Sequence, residues 1–304
     1  MNDFQATPHG QDTARALREM QDTFCARLGE LDGHPFGEDP WSREEGGGGM
    51  SRVLEEGGVF EKGGVMFSAI NGVDIPQVVL EEHPDLTPGT PYFATGVSLI
   101  LHPRNPFVPT VHFNVRYFEV GEIYWYGGGM DLTPYYAFRE DCIHFHRTIQ
   151  ACCDRFDPEY YPRFKPWCDR YFYLKHRGEP RGVGGIFFNY LKDGREQGAE
   201  FILALGQTLL DAYLPLARRR GNTPYGEAER EFQAYRRGRY VEFNLIYDQG
   251  TLFGLQSAGR TESILVSMPP RVAWRYDWRP KPGSREEALT REFLVPKDWA
   301  GENP

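Results

Sequence analysis

The sequence predicts an α+β protein of one domain, with an antiparallel sheet early in the chain and helices packed against it. Three observations carry that expectation. Between Gly48 and Trp125, apolar and β-branched runs recur between Gly, Pro and Asn clusters; from Pro134 to Gly238 the apolar spacing lengthens to three and four; and strands and helices do not alternate as βαβ units require. With 304 residues, 40 % of them hydrophobic and 14 % aromatic, the chain can fill a sizeable core. No shift in composition divides it, so residues 1–304 read as one unit, with 1–47 an N-terminal helix and loop and 269–304 a tail.

Ala14, Leu17, Met20, Phe24, Leu28 and Leu31 mark an amphipathic helix over 12–31, which Asp32-Gly33 ends. The stretch Glu44 to Gly49 reads as a surface loop, because it lacks the Gly-Lys-Ser/Thr ending of a phosphate loop. Strands are expected at 50–56, 65–71, 92–101, 111–120 and 122–126, joined as hairpins and meanders. Helices follow at 134–154 and 166–177, at 196–214 up to Pro215, and from Thr223-Pro224 to Gly238. Two late strands, 239–247 and 262–268, flank a Gly-rich turn, and Ser284 with Glu287 forms a capping box for a short helix.

The most informative segment is Val111 to Phe118. On a strand its period-2 alternation puts His112, Asn114 and Arg116 on one face and Val111, Phe113, Val115 and Tyr117 on the other. The polar row combines a general acid or base, an amide that donates and accepts, and a fixed cation with a planar fork of donors. A strand serving only the core needs none of these groups.

Five blocks in one order extend this reading: His102 to Pro106 (HPRNP), His112 to Arg116 (HFNVR), Trp125 to Tyr135 (WYGGGMDLTPY), Tyr171 to Phe188 (YFYLKHRGEPRGVGGIFF) and Phe253 to Ser263 (FGLQSAGRTES). Together they closely resemble the oxygen-dependent coproporphyrinogen III oxidase family, over about Ser51 to Trp274. The resemblance implies a broad, flat antiparallel sheet between helices with a cleft against it. It implies oxidative decarboxylation of two propionates of coproporphyrinogen III to vinyl groups, giving protoporphyrinogen IX. Molecular oxygen would be the co-substrate.

The resemblance also assigns residues. It casts His112 as proton donor and Asp131 as the carboxylate that holds the pyrrole N–H groups and helps take a pyrrole proton before oxygen adds to the ring. Substrate contacts fall on Ser98, Asn114, Val115, Arg116, Arg181, Ala258, Gly259 and Arg260. Read from the residues alone, Arg181 and Arg260 lie beside glycines that permit close backbone approach, which suits bidentate capture of a carboxylate. Asp131 and Thr133 equally suit capping of a helix after Pro134. Many family members have Thr-Gly-Gly-Arg where this chain has Ser257-Ala258-Gly259-Arg260, and the methyl of Ala258 restricts positive φ there.

The resemblance implies a divalent metal, manganese-like or zinc, on His102, His146 and His176; acid/base or structural work is the other reading of these histidines. No dinucleotide fingerprint or cysteine cluster is present, so no flavin, nicotinamide or iron–sulfur cluster is expected. Cys25, Cys142, Cys152, Cys153 and Cys168 read as reduced thiols. A net charge of −9 argues against nucleic acid and anionic membrane as partners, and the longest apolar run, near Val97 to Leu101, is too short to span a bilayer. A cytoplasmic protein is expected, and a polyanionic substrate must be held by local arginines. A homodimer through 240–275 is implied by the resemblance, with the alternating 240–247 segment as an independent reason.

Overall fold

The computed structural model describes residues 6–44, 46–72, 75, 80, 86, 87, 89–256 and 259–303. Helix α1 (Pro8–Asp32) opens where Thr7 accepts a hydrogen bond from the Gly10 amide at 3.1 Å, with Pro8 in the first turn. It closes at Gly33, whose φ of 87° lets its amide reach back to the Gly29 carbonyl. Six strands then run as a meander: β1 (Gly37–Ser42), β2 (Gly47–Glu55), β3 (Phe60–Gly72), β4 (Tyr92–Pro103), β5 (Thr110–Val120) and β6 (Ile123–Thr133). After α2 (Arg139–Cys153), α3 (Tyr160–Tyr171) and a small hairpin of β7 (Tyr173–Leu174) and β8 (Glu179–Pro180), strand β9 (Gly184–Leu191) joins beside β6. Helices α4 (Arg195–Arg220), α5 (Glu227–Ile246), α6 (Gln249–Gln256) and α7 (Thr261–Leu265) follow, and the tail carries the short α8 (Arg285–Ala288).

Every pair in the order β1-β2-β3-β4-β5-β6-β9 is antiparallel, as the α+β expectation requires. Phe113, Val115 and Tyr117 are wholly buried on the face that meets α1 and α4; the Phe24 ring stands edge-on to Phe113 at 5.4 Å. Burying each such side chain is worth about 1.5–3 kcal/mol, and that sum pins the register. A slip by one residue would bury His112, Asn114 and Arg116 instead. On the other face lie α5 and the segment around α7: Tyr240 meets the edge of His102 at 5.2 Å, Ser263 bonds Ser51, and a Cβ on Gly64 would strike Val266. Strand β1, the outer edge, is exposed except at Trp41 and carries Glu38, Asp39 and Pro40.

Several expected elements change. Residues 239–247 continue α5 rather than form a strand: Phe232, Tyr240 and Phe243 are buried at helical spacing, whereas Leu245 and Ile246 stand exposed. Gly238 is no terminator either; a Cβ there would sit 2.9 Å from the Ala273 carbonyl, so the glycine admits the tail against the helix. The 262–268 strand is α7 and a turn. The expected 166–177 helix is shifted to α3, because residues 173–180 form the β7–β8 hairpin. Pro215 does not stop α4: the Asp211 carbonyl that it leaves without an amide partner faces the His144 Nε2 at 3.3 Å. Gly47 to Gly49 belong to β2, with the Trp41 ring lying where a Cβ on Gly49 would point.

Candidate active site

The register of four strands assembles the site. Ile100, His112, Asp131 and Gly185 form one row across β4, β5, β6 and β9; Ser98, Asn114, Gly129 and Phe187 form the next; Gly96, Arg116 and Gly127 the third. His112, Asn114 and Arg116 are all half-buried, the polar row read from the sequence. Glycines take the positions beside Arg116, and Gly127 is buried beneath its side chain. A Cβ on Gly127 would come within 2.9 Å of Arg116 Nε and 2.6 Å of Asn189 Oδ1.

Asp131 is not a helix cap. It lies inside β6, which ends at Thr133, and α2 begins only at Arg139, with no side-chain cap. Its Oδ1 faces His112 Nδ1 at 2.9 Å, and Arg181 Nη2 donates to Oδ1 and Oδ2 at 2.8 and 2.7 Å. Burial raises the Asp131 pKa, but Arg181 and then His112 outweigh it, so the carboxyl lies below its ordinary range and is ionised at neutral pH. Asp131 is 2 % exposed, while the His112 side chain keeps 25 % of its surface open toward the cleft. The pair therefore presents an imidazole outward, held and polarised from behind by a buried anion.

The arginines differ. Arg181 Nη1 donates to Asn244 Oδ1 at 3.0 Å, and its guanidinium lies among Phe172, Tyr240 and Phe243. Its fork is thus committed within the protein, and the expected carboxylate clamp is instead an internal ion pair. Arg260, at the start of α7, pairs with Asp39 of β1. Arg116 is held by neutral amides: Nη1 donates to Asn114 and Nη2 to Asn189, each at 3.0 Å. Desolvation lowers its pKa, as expected for a partly enclosed cation whose hydrogen-bond partners are uncharged.

Among the other expected contacts, Ser98 lies half-buried on the site face in the row of Asn114. The Val115 side chain is fully buried on the opposite face, so alternation itself removes it from the cleft. Gly259 is exposed, and Ala258 lies outside the described residues. Alternation in β9 and helical spacing in α5 are the signals for Asn189 and Asn244; the sequence reading assigns no element to 184–191 and a strand to 239–247. The Tyr171 ring, stacked on Phe187 at 4.1 Å and bonded to Asp248 at 3.0 Å, also borders this side of the sheet.

The three histidines do not form a metal site. Among the described residues no group of three His, Cys, Asp or Glu side chains is placed to hold an ion. Each ring is already engaged: His102 Nε2 with the Ser267 carbonyl at 2.8 Å, His146 with Tyr161 and Val183, His176 with Tyr247 and Glu242. Burial, with Lys165 adding, pushes the His146 pKa down to about 3; burial likewise drives His102 well below its usual value. Both are neutral rings tied to backbone carbonyls.

A cation presented by amides beside a carboxylate-backed imidazole, on one face of an antiparallel sheet, defines the site of an enzyme acting on an acidic substrate. The chain belongs to the coproporphyrinogen III oxidase family, whose model matches residues 12–299. It is 51 % identical over 320 aligned residues to the oxygen-dependent coproporphyrinogen-III oxidase of Synechococcus sp. (strain CC9605), covering 96 % of this chain and 88 % of that one. The oxygen-dependent coproporphyrinogen-III oxidase of Parasynechococcus marenigrum (strain WH8102) is 52 % identical over 317 residues, 95 % of this chain and 87 % of that one. The family match reaches well into the N-terminal helix and the tail, beyond the stretch over which the sequence motifs run.

Proposed function

We propose that this chain is an oxygen-dependent coproporphyrinogen III oxidase, converting two propionates of coproporphyrinogen III to vinyl groups in porphyrin biosynthesis. The observation that carries the reading is Arg116, a cleft cation whose fork is oriented by two amides with no carboxylate partner among the described residues. A substrate carboxylate completes it. The absence of a side chain at Gly127 leaves room on this face for the Arg116 and Asn189 side chains, and the aromatic Tyr171 and Phe187 border it.

Each round turns one propionate, one proton and one molecule of oxygen into a vinyl group, carbon dioxide and hydrogen peroxide. Oxygen adds to the electron-rich pyrrole after loss of the ring N–H proton; it then removes hydrogen from the side chain as the C–C bond to the carboxylate breaks. His112 handles protons at the cleft. Asp131, buried and doubly held, keeps the imidazole oriented and stabilises its protonated form, and so works through His112. Arg116 fixes the acid that is to leave, which lowers the entropic part of the barrier.

The pairing of two copies belongs to the same reading. Leu245, Ile246 and Leu255 are exposed near the C-terminal end of α5 and on α6, within the 240–275 region. The helical course of 239–247 replaces strand alternation as the reason: two apolar side chains point away from the fold. Ile246→Glu should give monomers in sedimentation, and a fully active wild-type monomer at micromolar concentration would refute it. The reducing cytoplasm is the compartment proposed, since all five cysteines are free. The central test is incubation of purified protein with coproporphyrinogen III under air and under nitrogen. Vinyl product in air without added flavin or nicotinamide is expected; an undiminished anaerobic rate would overturn the reading.

A further inference from the structure

Asn244 has no place in the chemistry just described, yet it is 4 % exposed and bonded on both sides. Its Oδ1 accepts from Arg181 Nη1 at 3.0 Å, and its Nδ2 donates toward Ser267 Oγ at 3.4 Å. Arg181 in turn places Nη2 on both oxygens of Asp131, whose Oδ1 faces His112. Among the described residues Arg181 Nε is buried without a partner, and two acceptors, Asp131 and Asn244, set the rotation of the guanidinium in its plane. The aromatic rings of Phe172, Tyr240 and Phe243 fix the plane itself.

Ser267 is gripped a second time, through its carbonyl, by His102 Nε2 at 2.8 Å, and the His102 ring abuts Tyr240, which covers Arg181. The stretch that follows Arg260 is therefore joined to the acid–base pair by a short, buried chain of side chains. We propose that Asn244 is a positioning residue of this enzyme: its amide ties the Arg181–Asp131–His112 array to the 260–268 segment, so that the seating of that segment and the alignment of the array are set together. The proposal rests on the oxidase reading above.

The groups facing Asp131 are His112 from β5, Arg181 from the turn before β9, Cys168 from α3 and Tyr240 from α5; Asp248 and His102 act on Arg181 from farther off. Asn244→Asp adds a second carboxylate to the same guanidinium. Asp131 then shares its counter-ion with a like charge and ionises less readily, so the acid limb of the kcat profile should move up by about one pH unit, a tenfold change in the ionised-to-neutral ratio. KM for coproporphyrinogen should stay within about twofold, because Asn244 is not a substrate contact. An acid limb and kcat both equal to wild type would overturn the proposal.

Should the Asp variant fail to fold, Asn244→Ser removes the fork acceptor without adding charge. It should lower kcat about tenfold at unchanged KM, and hydrogen exchange of amides 264–268 should speed up. Full kcat in that variant, or unchanged protection of 264–268, would overturn the tie. Exchange is read without turnover, so a wild-type protein inactive on coproporphyrinogen would sink the oxidase reading while leaving the structural tie measurable.

Discussion

Arg116 and Arg181 are the same residue type on the same side of one sheet, and they do opposite things. Arg181 is 3 % exposed, spends its fork on an aspartate and an asparagine, and lies among three aromatic rings. Arg116 is more open and, among the described residues, donates its hydrogen bonds to two amides. A guanidinium facing a buried carboxylate neutralises it and serves the fold; one facing amides keeps its charge for a ligand. The role of an arginine follows from what is set against it rather than from its place in a motif.

Substitution can break this contrast. Arg181→Ala should have the largest effect on stability, about 3–5 kcal/mol in urea unfolding, because it strands the Asp131 carboxylate in the interior. A variant within about 1 kcal/mol of wild type would show that the pair is not locked. Arg116→Ala should leave stability nearly unchanged but cut kcat/KM about a hundredfold, roughly 3 kcal/mol of transition-state binding. If the two arginines gave matching losses in both assays, the distinction would be wrong.

A third measurement sharpens the Arg181 side through pH. Glu242 accepts from His176, Arg177 and Trp274, fastening the β7–β8 hairpin that leads into Arg181 to α5. Burial alone would raise its pKa, but Arg177, His176 and Trp274 carry it down to about 2. A carboxylate with a depressed folded-state pKa stabilises fully above its unfolded value and loses that contribution as pH falls through the folded one. Glu242→Gln should therefore be less stable than wild type at pH 7, by less than Arg181→Ala, and the gap should close between about pH 4 and pH 2. A gap that persists at pH 2 would assign the loss to packing.

The smallest effect is expected at Arg260, whose partner Asp39 is half exposed on the edge strand. Arg260→Ala should cost no more than about 1 kcal/mol, as for other solvent-screened pairs, and its loss in kcat/KM should fall well short of that at Arg116. Equal losses in kcat/KM would restore Arg260 as a substrate clamp.

Much of this was legible in the chain. The alternation in β5 carried its own face assignment, because period 2 is rigid once one face is apolar, and it placed His112, Asn114 and Arg116 correctly. The α5 segment misled for a physical reason: Tyr240, Val241, Phe243, Leu245, Ile246 and Tyr247 satisfy a strand pattern and a helix pattern alike, and only the packing of Tyr240 and Phe243 on Arg181 chooses between them. The strand β9 was hidden by the glycines that open it. Partners were the least legible feature. Asn189 lies 73 residues from Arg116, and Asn244 lies 63 from Arg181, so no local pattern announces either amide. The histidines show the same limit: three residues that look like ligands in a list are each claimed by a different neighbour in space.

The outer strand also carries a guard against aggregation. A free strand edge is a template for another chain, and β1 answers it with two acids in succession and a proline that has no N–H to give. Sheet-on-sheet extension from that side is blocked at its first rung. At the opposite limit of the sheet β9 lies against α3, where Tyr171 and Trp167 sit on Phe187. A second chain added at β1 would meet two like charges and a position with no N–H donor, so repulsion and a missing ladder bond oppose it together. In a crowded solution this edge works against the open ladder on which fibres grow.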